Sequence, residues 1–551
     1  MVTPLAVDSG HPFPFLANNT INAIVRIFQV QPDGTKDYKI AILPIPSVLD
    51  RIIEVPSSSN KVHRFVYLED VISYYATQFF QGYGIEESMI FRLTRDADLE
   101  IDEEDAKDLL TEVEASLRRR RRGDAVRLEV VGDGSPELLR TVLDSVELEE
   151  KDVYHIDGHL DCRMYFDFSN YPGYDHLRYK PFEPKIPSDL IGFEGENLLD
   201  VIRNRDIFVH HPFESFSVVE QFVAQAAVDP NVLAIKQTLY RVSGGSPIIA
   251  SLIKAADNGK QVTVLMEVKA RFDEEHNITM ARRLEKAGCH VIYGLKGLKT
   301  HSKITMVVRR EEDGIRRYVH LATGNYNGKT ARIYTDCGIF TCNDEYGDDA
   351  SRFFNLISGY SDPPIWNKFI VAPLNLRERI MDLIDEEIQC AKRGEDAYII
   401  AKMNSLLDKK VIAKLYEASA NGVRIDLIVR GICTLRPGIA GVSDNITVRS
   451  IVGRFLEHHR LFYFRNGGNE KTFLSSADWM PRNLNERVEL MIPIEDKRHK
   501  ARIKGILDLY LVDTLKAHLM RADVYYYKVS KIVGPLSAQE ELMEAANTQD
   551  S

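Results

Sequence analysis

The chain has 551 residues, 44% of them hydrophobic and 27% charged, with a formal net charge of −11. Such a length suits three or four domains with ample core. The acidic balance argues against nucleic acid as the main partner, while a polyanion held in a locally basic tunnel stays open. No uninterrupted apolar run reaches spanning length and no charged-plus-apolar leader follows Met1. That pattern reads as cytoplasmic, with at most peripheral membrane association. Six cysteines are scattered without a CxxC pair, as expected of reduced, mostly buried thiols.

Residues 1–186 read as an α+β domain, with strand-like runs at Ala23–Val30, Tyr38–Leu43, Arg64–Leu68, Phe91–Arg95 and Ala125–Val131. A helix is expected between them. Asp102 offers its N-cap, acids crowd its first turn, and Leu109, Leu110, Val113 and Leu117 form its apolar stripe. It ends in the consecutive arginines Arg118–Arg122. These read either as a cationic helix end complementing the dipole or as a polyanion or subunit contact. The segment PFEPKIP, from Pro181 to Pro187, reads as a linker. Residues 187–368 then form one α/β domain and 369–551 a second, with Pro363-Pro364 at their junction and a polar tail after Pro535 that is expected to fray.

The centre of the chain is Val291–Asn327. Lys296, Lys299 and Lys303 flank His301, an apolar run follows from Ile304 to Val308, Asp313-Gly314 supplies a hairpin turn, and Gly324-Asn325-Tyr326-Asn327 closes the segment. A neutral imidazole can attack phosphorus, and the lysines would neutralise the oxygens it attacks. One H-x-K is weak, but the pattern recurs. His458-x-Arg460 precedes the run Leu461–Phe464, an Asn466-Gly467 turn and Ser475-Ser476-Ala477-Asp478. Upstream segments match too: Lys236-Gln-Thr and Lys402-Met-Asn each precede a helix ending in Asn-Gly (Asn258-Gly259, Asn421-Gly422) and a further strand. The chain is therefore an internal duplication of α/β units, each delivering one histidine and one cation. Two such halves facing each other would make a single site.

Several other residues bear on that site. Arg241 ends IKQTLYR, Arg271 follows the strand Val262–Val268, and Arg430 follows Ile425–Val429; residues just past the carboxyl ends of parallel strands converge on the ligand crevice. Asp336 and Glu489 lie at corresponding places late in each half and are candidate orienters, Asp336 for His301 and Glu489 for His458. Spacing to Arg460 favours His458 over its neighbour His459, and His210-His211, between an apolar strand and Pro212, read as structural.

Paired H-x-K/R histidines resemble the phospholipase-D-like fold. Over nearly the whole chain the segments HPFPFLANN (11–19), HHPFESF (210–216), IKQTLYR (235–241), VKARFDE (268–274), LKTHSKITMVVRRE (298–311), HLATGNYN (320–327), YTDCGIFT (334–341), AKMNSL (401–406) and SSADWMPRNL (475–484) resemble the polyphosphate kinase family of the phosphohistidine type. The resemblance implies an α+β head domain, implicated in dimerisation, followed by two tandem phospholipase-D-like α/β domains. It implies reversible transfer of the ATP γ-phosphate to polyphosphate, with His301 phosphorylated and His458 as acid and base. It places Arg241, Arg271, Tyr334, Arg430 and His458 at nucleotide and phosphate contacts, with Lys303 and Arg460 as the cations of the motif. Mg2+ accompanying ATP or ADP is expected beside Arg241 and Arg271 with no side-chain ligand, and the partners are ATP/ADP, polyphosphate and further copies in a homodimer or higher homo-oligomer.

Two departures matter. Position 308 is Val308 where the phospholipase-D motif carries aspartate, which weakens the alternative of a phosphodiesterase. The family's amino-terminal helical domain is expected to be missing, which raises the other alternative, an inactive polyphosphate-binding fragment.

Overall fold

A computed structural model describes residues 2–57, 62–96, 109–120, 123–242, 245–270, 273–359, 362–529 and 534–548. The Asp102 cap, Arg121, Arg122, Arg271 and the side chains of Arg118–Arg120 therefore lie outside what is described. The chain divides after Lys180 into two units, and residues 181–551 form one of them. The sequence boundary was expected after residue 186, and the two α/β halves lie inside the second unit.

The first unit is built on a six-stranded sheet ordered Leu5–Val7, Lys36–Pro44, Ile21–Val30, Gly84–Arg95, Ala125–Val131 and Val153–Ile156. All neighbours are antiparallel except the last pair. Alternation along Ile21–Val30 sends Ile24 to one core, with Phe91, Leu128 and helix Pro136–Val146, and Ala23 and Val25 to the other. The helix over Leu109–Arg120 is present, and Val113 is buried.

In the second unit the duplication becomes visible as register. The first half has a parallel pair, Val232–Leu239 with Gln261–Met266, beside the antiparallel run Lys303–Glu311, Gly314–Ala322 and Tyr334–Thr341. The second half repeats it: Tyr398–Met403 pairs in parallel with Arg424–Val429, beside Arg460–Phe464, Lys471–Ser475 and Arg487–Ile494. Inward residues of both sheets (Ile304, Met306 and Leu321; Ile400, Leu461 and Leu474) share one core with helices Asp344–Ser358 and Lys497–Val512. Those helices begin where the sequence places side-chain acceptors: Asn343 accepts from Glu345 N, and Asp496 from Arg498 N and His499 N.

The halves also exchange strands. Lys299–Thr300, just before His301, pairs in parallel with Arg487–Val488 of the second half. Leu456–Glu457, just before His458, pairs in parallel with Tyr334–Thr335 of the first. Each sheet is thus completed by two residues from its twin.

The tail does not fray within the described residues. Ala538–Thr548 is a helix, and its Gln539 side chain receives Phe455 N at 2.9 Å and donates to Phe455 O at 2.8 Å. Ala546, with Leu542 and Met543, packs against Phe213 and Phe455. Its polar composition hid a one-sided contact at helical spacing.

Candidate active site

Strand exchange fixes the histidines. His301 N and Ser302 N both donate to Val488 O, at 2.9 and 3.0 Å, and His458 N donates to Thr335 Oγ1 at 3.1 Å. One residue further along each host strand stands a carboxylate. Glu489 Oε2 lies 3.0 Å from His301 Nδ1, and Asp336 Oδ1 lies 2.8 Å from His458 Nδ1. The expected pairing of Asp336 with His301 and Glu489 with His458 is thereby corrected: each imidazole is held by the carboxylate of the other half. The reason is the exchange itself, since a histidine entering from one half meets the final strand of its twin.

Both carboxylates are themselves fixed as acceptors. Thr323 Oγ1 donates to Asp336 Oδ1 at 2.6 Å; Ser476 Oγ donates to Glu489 Oε2, and Asn483 Nδ2 to Glu489 Oε1 at 2.6 Å. Gly324 is required here, because a Cβ on it would lie 2.4 Å from the Asp336 carboxyl carbon. An acceptor at Nδ1 leaves the Nε2 lone pair of each ring facing the site.

Burial and neighbouring charge act on both rings. Burial first, then Lys303, Arg487, Arg460 and His458, hold His301 well below the usual histidine range, so it is neutral near pH 7. His458 is also lowered, chiefly by burial and against the pull of Asp336. Burial would raise Asp336, but His458, Thr323 and Arg460 more than offset it and its carboxyl falls below the usual range. Burial wins at Glu489 and pushes it up, despite Lys303 and Arg487.

Cations line the same space. Lys303 is 2% exposed, its Nζ donates to His301 O, and burial drives it well below the usual lysine range. Arg460 donates to His458 O at 2.7 Å, approaches His458 Nε2 at 3.3 Å and grips both oxygens of Asp478 at 3.3 and 3.2 Å. Arg430 donates to Asn404 Oδ1 at 2.6 Å, and Asn404 in turn donates to His458 O at 3.2 Å. Tyr334 stands with its ring 5.2 Å from that of His458. Arg241 forms an ion pair with Asp273 at 2.8 Å, and the ring of the preceding Tyr240 meets His301 edge-on at 5.0 Å.

The sequence alone assigns no site role to Arg487, Tyr240, Asn404 or Asp478, although Asn404 and Asp478 fall in its repeated segments. Arg487 sits two residues before Glu489 and so on the same strand face, opposite Lys299 in register; only the strand exchange reveals this. His459 is fully buried and turned away from the carboxylates. His211 Nδ1 is spent on Glu214 O at 2.8 Å.

A duplicated α/β unit with two carboxylate-held imidazoles at its seam, and arginine and lysine beside them, is the architecture of this chain, and known proteins match most of its length. Residues 1–168 match the polyphosphate kinase middle domain, 197–363 the polyphosphate kinase C-terminal domain 1 and 369–539 the C-terminal domain 2. A polyphosphate kinase of Halalkalibacterium halodurans is 54% identical over 94% of this chain and 73% of its own length, and one of Bacillus anthracis is 50% identical over 99% and 78%. The crystal structure of a polyphosphate kinase from Porphyromonas gingivalis superposes with a TM-score of 0.87 at 32% identity, covering 100% of this chain and 81% of that one. The chain belongs to the polyphosphate kinase family.

Proposed function

We propose that this chain moves the γ-phosphoryl group of ATP onto polyphosphate through a phosphohistidine on His301, the phosphohistidine (type 1) route. The observation that carries the reading is the crosswise pair: His301 and His458, each oriented by a carboxylate of the other half, with His301 held neutral by burial and by Lys303, Arg487 and Arg460. His301 Nε2 attacks the γ-phosphorus and ADP departs. The terminal oxygen of a polyphosphate chain then attacks the phosphoramidate, with His458 giving or taking the proton. Cations meet the equatorial oxygens, so catalysis rests on alignment and charge. A phosphoramidate keeps much of the anhydride's energy, and the reaction runs in reverse to make ATP.

Magnesium enters with the nucleotide. Guanidinium groups cannot ligate it, and Arg241 already engages Asp273; phosphate oxygens and water are its natural ligands here. Arg241, Arg430 and Tyr334 then serve the nucleotide and its phosphates. Self-association as a homodimer or larger homo-oligomer follows from the same family reading, and sedimentation measures it. No helix among the described residues is long and apolar enough to cross a membrane.

The test is incubation with γ-labelled ATP and magnesium. Acid-labile, alkali-stable label on the protein, passed on to polyphosphate and lost in His301→Ala, is the expected result. Label from a diester but not from ATP would favour a phosphodiesterase. Polyphosphate binding with no label would leave only a binding fragment.

A further inference from the structure

Behind the catalytic seam lies a second cluster that the phosphotransfer chemistry does not use. Successive residues of a strand point to opposite faces. Asp336 faces the imidazole of His458, so Cys337 faces away; in register, Cys337 stands opposite His210. His459, next after His458, is turned to the same side, and its ring lies 5.4 Å from that of His210. One donor atom from each of His210, Cys337 and His459 lies within 4.8 Å of the other two, and all three residues are buried. Both ring nitrogens of His459 and Nε2 of His210 have no hydrogen-bond partner. Orphaned ring nitrogens in a dry interior are costly unless something occupies them.

We propose that His210, Cys337 and His459 form a binding site for a soft monovalent d10 cation, Cu+, held by one thiolate and two imidazoles. Bonds of about 2.0 Å to nitrogen and 2.3 Å to sulfur place donors roughly 3.5–4 Å apart, so the side chains close by about an ångström. Thiolate and imidazole are ligands that favour Cu+ over hard ions. Charge makes the further choice. The neighbouring cations are already neutralised, Lys402 by Glu457 at 2.9 Å and Arg502 by Glu214 at 2.7 Å. With buried imidazoles neutral, a single thiolate cancels a single positive charge; a divalent ion would leave one uncompensated charge in the interior. On binding, the Sγ–H bond is replaced by Sγ–Cu and the proton leaves to solvent. Because His210 and Cys337 belong to one half and His459 to the other, the ion clamps the seam that carries Asp336 and His458.

The experiment is an anaerobic titration of the whole chain with Cu+ against a competing chromophoric chelator, at long equilibration, beside Cys337→Ser and His459→Gln. One tight equivalent per chain is expected, with affinity falling about 100-fold or more in either variant, beyond the loss seen for a supporting residue of a metal site. X-ray absorption on the wild-type protein should show one sulfur and two nitrogen neighbours, a readout that survives even if a variant misfolds. Equal uptake by well-folded Cys337→Ser, a sulfur-only shell, or no tight equivalent in the wild type would each overturn the site. Preferential uptake of Zn2+ over Cu+ would overturn the charge argument that assigns the ion.

Discussion

The two halves place a histidine, a cation two residues on and an exchanged carboxylate at equivalent points, yet they treat the cation differently. In the second half Arg460 is locked onto both oxygens of Asp478. In the first half, register equates Ala322 with Ser475, since these oppose Lys303 and Arg460 respectively. The counterpart of Asp478 is therefore Asn325, a neutral residue whose Oδ1 is buried and unpartnered. Among the described residues Lys303 has no carboxylate within ion-pair distance, and its Nζ turns to the carbonyl of His301. The second half ties its cation to a carboxylate; the first leaves Lys303 beside His301 without one. Duplication gives the two halves one geometry, and one Asp/Asn difference sets their cations apart.

The largest effect should separate the histidines outright. His301→Ala is expected to abolish phosphoenzyme and lower turnover at least about 10⁴-fold, whereas His458→Ala retains slow labelling by ATP; rapid-quench labelling distinguishes them. Next, the crosswise pairing predicts that Glu489→Gln slows formation of the phosphoenzyme about 10³-fold, and that Asp336→Asn acts by a similar factor through His458. If Asp336→Asn were additive with His458→Ala rather than masked by it, the pairing would be wrong. A sharper probe is Asn325→Asp. Giving Lys303 a counter-ion should cost about 10²-fold in phosphoryl transfer with little change in nucleotide affinity, as loss of a transition-state cation does.

Stability offers two smaller tests. His320 is buried and lowered from 6.5 to about 3. An unfolded chain takes up its proton below 6.5 while the folded one does not, so stability is full above that pH and falls as the solution is acidified towards 3. Between pH 7 and pH 5 the loss from this group is about 2 kcal/mol, read as a falling Tm in thermal melts; a flat profile would contradict it. Gln539→Ala removes the hydrogen bonds to Phe455 and should lower stability by about 1 kcal/mol, with a smaller effect on turnover than any change at the seam.

The sequence made the duplication legible because its markers are local: H-x-K and H-x-R, Asn-Gly after a helix, a polar cluster after the second hairpin strand. Strand runs in the first unit, such as Ala23–Val30 and Ala125–Val131, were legible for the same reason, as apolar and β-branched stretches between turns. What could not be read was pairing at a distance. Lys299-Thr300 and Leu456-Glu457 are two-residue strands with no periodic signature, and only their partners, more than a hundred residues away, define them. Assigning each carboxylate to the histidine of its own half was the natural reading of a repeat, and it failed because the repeats are interlocked. The tail was misjudged on composition, since a helix that buries only Ala538, Gln539 and Ala546 looks polar overall.

That interlocking has a bearing on how the protein is made. A nascent chain that has emerged only through residue 368 carries His301 but has neither the strand that seats it nor Glu489 to orient it. The His301–Glu489 pair is assembled only once the closing strand has left the ribosome, so on the phosphohistidine route proposed above an unfinished polypeptide would not phosphorylate itself during its own synthesis.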